Sequence, residues 1–377
     1  MKIKFWTSTE YGGFMEALIR ELGSLGIDAE QKFNLSEASY RGANSTWGRF
    51  ILRIRQYIIY PVQIVFNLSI DALLGRAENP IVVATNTFFA PLLATFFNRR
   101  VIHLVYDLFP EAMIHSGKWT EGQIRVKFFR WIVSLTLKRS VMNVFLGQRV
   151  KDHVESIHGD LNNSLIIPVG ADSRAFEEFP EIIDSEIKIL YCGNFGNMHD
   201  SDTLFEYLNT ATPEGVEFLF HCSGPKRKLL ESFKNSQRLS SSESSSLGGR
   251  LKVADGLAYK DWLITMQSAQ VALVTMSEGS EEVVMPSKTY SAMMAGQAIL
   301  AIAPEASDLV DLIKHTGCGW WVNPGDVEGL RACIYEIIHD SEALTSRRLN
   351  AFKSGHESYG QDHLAKKWLQ LFDSLHS

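Results

Sequence analysis

Short apolar runs of strand length recur at residues 3–6, 81–84, 101–106, 141–146 and 165–168, separated by helical stretches such as 14–25 and 123–138. A strand covered by helices on both faces has no solvent side, so it reads as an unbroken apolar run rather than an alternation. Parallel sheets are built from such strands. The pattern restarts at 187–192 and continues through 217–222, 251–253, 271–276, 298–302 and 319–322. This repetition predicts the α/β class, with two Rossmann-like doubly wound domains over residues 1–172 and 186–359. Phe179, Pro180 and a cluster of acidic residues mark the linker between them. A chain of 377 residues with 45% hydrophobic content can supply a core to each half. The serine-rich tract 236–249 reads as a surface loop. The amphipathic stretch 362–375, which follows the glycine-containing segment 354–360, reads as a final helix docked on another part of the molecule.

Cys192, Cys222, Cys318 and Cys333 stand at unrelated spacings, with no Cys-x-x-Cys and no paired histidines. They predict neither a zinc site nor a disulfide framework, and a reducing cytoplasm fits them best. The N-terminus runs from residues 1–6 straight into polar Thr7–Glu10, too short an apolar region for a secretory signal. Net charge is −6, yet residues 1–170 hold 19 Lys and Arg against 14 Asp and Glu, leaving 18 against 29 in the remainder. A basic half in an acidic protein often faces an anionic partner. Here Arg49, Arg53 and Arg55 flank an apolar run at 58–70, and Arg125, Lys127, Arg130, Lys138 and Arg139 interleave with Phe128, Phe129, Trp131, Ile132 and Leu135. Pro61, Gln63 and Asn67 interrupt the first run well short of the ~20 apolar residues of a membrane span. The expectation is an interfacial helix that lays Tyr57, Tyr60, Val65 and Phe66 among headgroups on the inner face of the cytoplasmic membrane; the alternative is a helix packed on its own domain core, with snorkelling arginines. No nucleic-acid reader module is present, so nucleic acid is not an expected partner.

Four motifs carry chemistry. Residues 284–301 join a polar turn, a small-residue helix, a glycine and a buried strand. Pro286 and Ser287 open the helix, Lys288 adds a positive charge, and Gly296 ends it ahead of the apolar run 298–302. Such a corner suits a diphosphate. Gly12 and Gly13 follow the first strand and precede a helix, where a backbone without Cβ atoms lets a ligand approach closely. The segment His103-Leu-Val-Tyr-Asp107-Leu-Phe-Pro110-Glu111 ends a strand on a carboxylate, at the edge where open α/β sheets bind ligands; a helix-capping role for Asp107 and Glu111 is the alternative. Tyr191-Cys192-Gly193-Asn194-Phe195-Gly196 and Ser223-Gly224-Pro225 place glycine loops after the first two strands of the second half.

With Val169-Gly170-Ala171-Asp172, these motifs occur in the order found in family-four glycosyltransferases, and over nearly its whole length the chain resembles their bacterial surface-polysaccharide branch. That branch carries Pro-Ser-Lys before an aromatic residue and an Ala-Gly turn, as 286–288, Tyr290 and Ala295-Gly296 do here. It also carries Asp, an aromatic, Pro and Glu, as at Asp107, Phe109, Pro110 and Glu111. The resemblance implies the GT-B fold, two Rossmann-like domains facing a cleft, with the helix at 360–377 crossing back to the first. It implies a donor site of Gly193, Asn194, Gly224, Pro286, Ser287, Lys288, Tyr290 and Ser291, and an acceptor side of Gly12, Gly13, His103 and Glu111, with Asp107 and Glu282 as candidate catalytic residues. Two departures stand out. Relatives often place Arg, and a Lys a few residues on, where this chain has Asn194 and the stretch Met198-His199-Asp200, so cations must come from Lys288 or from Lys226 and Arg227. Many also carry two glutamates where this chain has Val283 and Ser291, which leaves Glu281 or Glu282 to meet the sugar.

The expected activity is transfer of a sugar, hexosyl or N-acetylhexosaminyl, from a nucleotide diphosphate donor with uridine as carrier to a glycan or polyprenyl-linked acceptor, with retention and with neither metal nor cofactor. A non-catalytic GT-B scaffold within a glycan-assembly complex and a nucleotide-sugar epimerase are the alternatives.

Overall fold

The computed structural model describes residues 1–36, 39, 46–75, 79–85, 87–182, 186–210, 215–240 and 250–375. The chain divides into two compact units. One comprises Met1–Val169 with Gln361–Ser377, the other Gly170–Gly360.

The first unit is built on six parallel strands: β1 (Lys2–Trp6), β2 (Asp28–Lys32), β3 (Ile81–Ala84), β4 (Val101–Val105), β5 (Met142–Phe145) and β6 (Ser164–Ile166). They lie in the order β2-β1-β3-β4-β5-β6. β3 and β4 are buried along their whole length, as their unbroken apolar sequences require. β2 reads Asp-Ala-Glu-Gln-Lys and has no apolar run at all; it is an edge strand, held to β1 by parallel pairing from Lys2 with Asp28 to Trp6 with Lys32. The C-terminal helix Gln361–Ser374 buries Leu364, Trp368, Leu371 and Phe372 in this unit, with Trp368 edge-on to Phe5 at 5.5 Å.

The second unit repeats the plan with β7 (Ile187–Asn194), β8 (Val216–Ser223), β9 (Leu251–Ala254), β10 (Val271–Thr275), β11 (Ala298–Ile302) and β12 (Gly319–Val322), in the order β12-β11-β10-β7-β8-β9. Its core gathers Ile189, Tyr191, Phe218, Phe220, Leu273 and Leu300. Strand order reverses between β1 and β3 in the first unit and between β7 and β10 in the second. At such points the loops leave the sheet in opposite directions and open a crevice beyond the carboxyl ends of the strands.

Two sequence expectations need correction. The helix Arg227–Ser240 takes in the first five residues of the serine-rich tract, whose remainder, 241–249, lies outside the described residues. The helix Ser341–Tyr359 runs through all of the segment 354–360 but Gly360, its C-cap. Gly355 sits against Met293 and Met294, where a Cβ would come within 3.2 Å of their backbone. Tyr60 is fully buried in the first unit rather than presented outward. The helix Thr46–Ile54, a π-helical turn Arg55–Ile59 and the helix Tyr60–Leu73 follow one another directly, and the outward stripe is instead Trp47, Phe50, Ile51, Ile58, Val62, Phe66 and Leu73. Trp47 is 73% exposed and Leu73 87%. Among the described residues no helix is long and apolar enough to cross a membrane.

Candidate active site

In the second unit the carboxyl ends of β7 and β10 bring together residues far apart in sequence. Lys288 begins the helix Lys288–Met294, and its Nζ lies 3.7 Å from the centre of the Tyr191 ring. That ammonium is buried and has no hydrogen-bond partner among the described residues. Burial pulls its pKa from 10.5 down to about 7, with the nearby Cys192 and Cys222 thiols opposing the shift. His199 donates from Nδ1 to the Thr275 carbonyl at 2.7 Å, an assignment that follows because a carbonyl can only accept. Burial, and then the charges of Lys288 and Lys226, hold His199 down to about 3, so the ring is neutral. Lys226 Nζ donates to the His199 carbonyl. The two lysines thus converge on His199, and among the described residues the Thr275 and Thr289 hydroxyls are buried without partners. Arg227 is committed elsewhere, to Glu231 at 2.8 Å and to Asp255.

The glycine loops surround this cluster. Gly193 and Gly224 both have positive φ, at +131° and +103°. A Cβ on Gly224 would fall 2.3 Å from Asn194 Oδ1 and 2.7 Å from the Phe195 carbonyl, so only glycine lets the two loops close on each other. Phe195 N donates to the Ser223 carbonyl at 2.7 Å and locks that approach. Gly296 has φ +70° and ends the Lys288 helix, its N–H donating to the Met293 carbonyl at 3.0 Å. Ser291 lines a cavity with Cys192, Trp262, Lys288 and Gln297. Pro286 is buried at the helix entry, and Ser287 is exposed as its N-cap. Tyr290 faces away, buried against Tyr359 at 4.9 Å. Of the two glutamates in the turn Ser280–Glu282, Glu282 is exposed, whereas Glu281 turns inward with a buried Oε2 that has no partner among the described residues.

In the first unit Gly12 and Gly13 begin the helix Gly13–Ser24, and a Cβ on Gly13 would meet no atom within 4 Å. Tyr11 packs on Tyr106 at 4.9 Å, and its hydroxyl is buried without a partner among the described residues; burial raises its pKa well above 10, with Tyr106 and Asp107 adding to the rise. Asp107 is fixed by backbone, its N–H donating to Thr85 Oγ1 at 3.1 Å. The helix Glu111–His115 is capped by Pro110 with no side-chain bond, so the Asp107 carboxylate does not cap it. Asp107 is exposed as a residue, and desolvation of its carboxyl by the surrounding protein raises its pKa. Glu111 is not free to meet a ligand: it is buried and accepts from Arg130 Nε at 2.9 Å, while Arg130 also grips Glu121. His103 is buried beneath Asp107, its Nδ1 2.9 Å from Asn143 Oδ1.

No protein-family model matches the chain. It is 26% identical over 307 residues to a probable glycosyltransferase, WbjE, of Pseudomonas aeruginosa, covering 78% of this chain and 73% of that one. Among solved structures it is similar to HepE of Anabaena in complex with UDP-glucose, at a TM-score of 0.72 and 15% identity over 99% of this chain and 100% of that one. It is also similar to WaaG, a glycosyltransferase involved in lipopolysaccharide biosynthesis, at 0.66 and 13% over 98% and 99%. The fold is GT-B.

On this GT-B framework the structure gathers Gly193, Asn194, Gly224, Lys288 and Ser291 on the second unit, and Gly12, Gly13 and Asp107 at the strand ends of the first. It sets Tyr290 and Glu111 apart in packing and ion-pair roles. Sequence reasoning named His199 and Tyr191 but gave neither a role in the site, because their neighbours become visible only once β7 and β10 are adjacent. It gave Tyr11 no role either, although the aromatic directly before the two glycines was a readable signal.

Proposed function

We propose that the chain is a glycosyltransferase that moves a hexosyl or N-acetylhexosaminyl group from a UDP-sugar to a glycan or lipid-linked acceptor in surface-polysaccharide assembly, with retention of configuration. The observation that carries the reading is the convergence of Lys288 and Lys226 at the point where strand order reverses in the second unit. A buried ammonium whose N–H groups find no acceptor among the described residues is costly even over an aromatic ring, and a diphosphate is the partner that offsets the cost. When the sugar departs, charge grows on the diphosphate, and cations already in place stabilise it without reorganising. Asp107 would orient the acceptor hydroxyl and take up its proton as the new bond forms. Support comes from the UDP and UDP-glucose bound by HepE on the same fold and from the likeness to WbjE.

The exposed stripe from Trp47 to Leu73, with Arg49 and Arg53 beside it, supports peripheral contact with an anionic membrane surface. Scaffold duty without turnover is the second reading, motivated by Ser291 and by an exposed Glu282 in place of paired glutamates. Calorimetry with UDP, GDP and ADP tests the donor assignment. Selective UDP binding that weakens on the order of 10- to 100-fold in Lys288→Ala is the expected result, the worth of a charge-assisted hydrogen bond. Equal affinity of both proteins for UDP would remove Lys288 from the site. Slow release of free sugar from UDP-sugars separates an enzyme from a scaffold.

A further inference from the structure

The helix Ile124–Arg139 buries Val126, Thr136 and Leu137, yet it carries a second apolar stripe outward: Ile124 is 88% exposed, Phe128 52% and Trp131 58%. Side chains four and three positions apart stand on one helix face, so these three form a single row. A surface helix with one core to cover needs one apolar stripe. The second faces solvent, and contiguous apolar surface of this kind marks an interaction site. From the stripe a ladder of aromatic rings leads into the unit. Trp131 lies 6.1 Å from Phe128 between ring centres and Phe128 5.4 Å from Phe129. Phe129 in turn lies 5.3 Å from Trp119 and 5.0 Å from Phe109, and Phe109 stacks on Phe88 at 4.4 Å. These spacings are those of favourable ring pairs. Exposure falls along the series, from the exposed Trp131 and Phe128 to the half-buried Phe129, Trp119, Phe109 and Phe88. Phe109 stands two residues after Asp107, so the ladder runs from open surface to the carboxylate assigned to the acceptor.

Charge narrows the occupant. The helix Ile124–Arg139 has no acidic residue, Arg125 stands over the Trp119 ring at 4.6 Å, and Lys127 and Lys138 are exposed. Arg130 is neutralised by Glu111 and Glu121. An apolar track flanked by cations suits an apolar chain that ends in an anionic group. It does not suit a neutral glycan, whose hydroxyls would meet nothing on the rings but two indole N–H groups. We propose that the ladder seats the apolar chain of a lipid-linked acceptor, with the anionic linkage beside Arg125 and the linked sugar carried toward Asp107. That the chain belongs to the sugar acceptor rests on the transferase reading; that the ladder binds an apolar chain ending in phosphate does not.

The test uses the full chain labelled with fluorotryptophan and no nucleotide, followed by fluorine NMR. The Trp119 and Trp131 resonances are identified by their loss in Trp119→Phe and Trp131→Phe. Farnesyl phosphate, an apolar chain ending in phosphate, is expected to shift both resonances saturably below the concentration at which it forms micelles, and inorganic phosphate to shift neither. Phe128→Asp, which sets a carboxylate between the outer and inner rungs, should weaken that binding about tenfold or more, the worth of one large apolar contact. Should Phe128→Asp fail to fold on thermal melting, Phe128→Gln takes its place. A shift of Trp131 alone would leave the chain on the outer face of the helix. Shifts with vesicles of mixed anionic and zwitterionic lipid but not with farnesyl phosphate would make the stripe a plain membrane contact, and resonances that move with protein concentration alone would make it an interface between copies. Each of these, or an affinity unchanged in the Phe128 variant, would overturn the proposal. Farnesyl phosphate binding without any UDP binding would leave the ladder standing and sink the transferase reading, and the reverse result would do the opposite.

Discussion

Lys288 has a pKa near 7 in the ligand-free protein, so its charge, and with it donor affinity, is expected to depend on pH. Below about 7 it is an ammonium ready for phosphate; above, binding must first recruit a proton. UDP affinity should therefore fall as pH rises from 7 to 9, by at most about tenfold per unit, and Lys288→Met should lose this slope. Calorimetry in buffers of different ionisation enthalpy also reads the proton uptake directly. Stability has its own sign. Between about 7 and 10.5 the unfolded chain holds a proton that the folded chain lacks, so this lysine makes the fold more stable as pH rises across that window. Lys288→Met should accordingly melt higher than wild type below pH 7, with the gap closing toward pH 10. Asp107 separates the two steps of the reaction: Asp107→Asn should cut turnover about 10²- to 10⁴-fold, the range of general-base effects, and leave UDP affinity unchanged. A matched loss of UDP affinity would mean that Asp107 acts on the donor. Glycines, the lysine and the strand-end carboxylate were legible in the sequence because each has a chemistry that its neighbours advertise. His199 was not, since nothing within a few residues of it shows that Thr275, 76 positions on, will receive its proton.

At the scale of the element, the apolar strands announced themselves and the edge strand did not. β3 and β4 have two helix-covered faces and no polar residue but His103, while β2 is, apart from Ala29, made of charged and amide side chains and owes its existence to pairing with β1. The stretch from Thr46 to Leu73 was legible as basic and aromatic, but its rotation was not. The π-helical turn Arg55–Ile59 shifts the faces, so that Tyr60, Ile64 and Leu68 go inward and Phe50, Ile58, Val62 and Phe66 outward. Contiguous exposed apolar surface of this kind marks an interaction site. Sedimentation with vesicles of mixed anionic and zwitterionic lipid should pellet the protein, and added salt should release it, because arginines near a charged surface contribute about 1 kcal/mol each at low ionic strength. Trp47→Ser with Phe66→Ser should abolish pelleting without altering UDP binding. Retention of full pelleting by that variant would place the contact elsewhere, the first alternative being the helix Ile124–Arg139, where Ile124 and Trp131 are exposed.

The whole molecule is asymmetric in chain as well as in charge. The second unit is one continuous segment, Gly170–Gly360, and the first is assembled from Met1–Val169 and the C-terminal Gln361–Ser377. Dependence between the units should therefore run one way. The helix Gln361–Ser374 gives the first unit Leu364, Trp368, Leu371 and Phe372, each no more than 4% exposed, and Gln361 Nε2 donates to the Val169 carbonyl at 2.7 Å. At about 1.5–3 kcal/mol for each large apolar side chain buried, losing four of them removes roughly 6–12 kcal/mol. A domain of this size has a net stability of about 5–15 kcal/mol, so truncation after Gly360 should unfold the first unit or leave it barely folded. The second unit loses no core residue, and its cluster of Lys288, Lys226 and His199 draws on nothing outside Gly170–Gly360. The fragment 170–360 should fold cooperatively and bind UDP with the affinity of the full chain, whereas the chain truncated at 360 should show early melting, with UDP raising only its later transition. If the truncated chain melts in one step at the wild-type temperature, the C-terminal helix is dispensable to the first unit. If fragment 170–360 folds but ignores UDP, the lysine cluster is not a sufficient donor site.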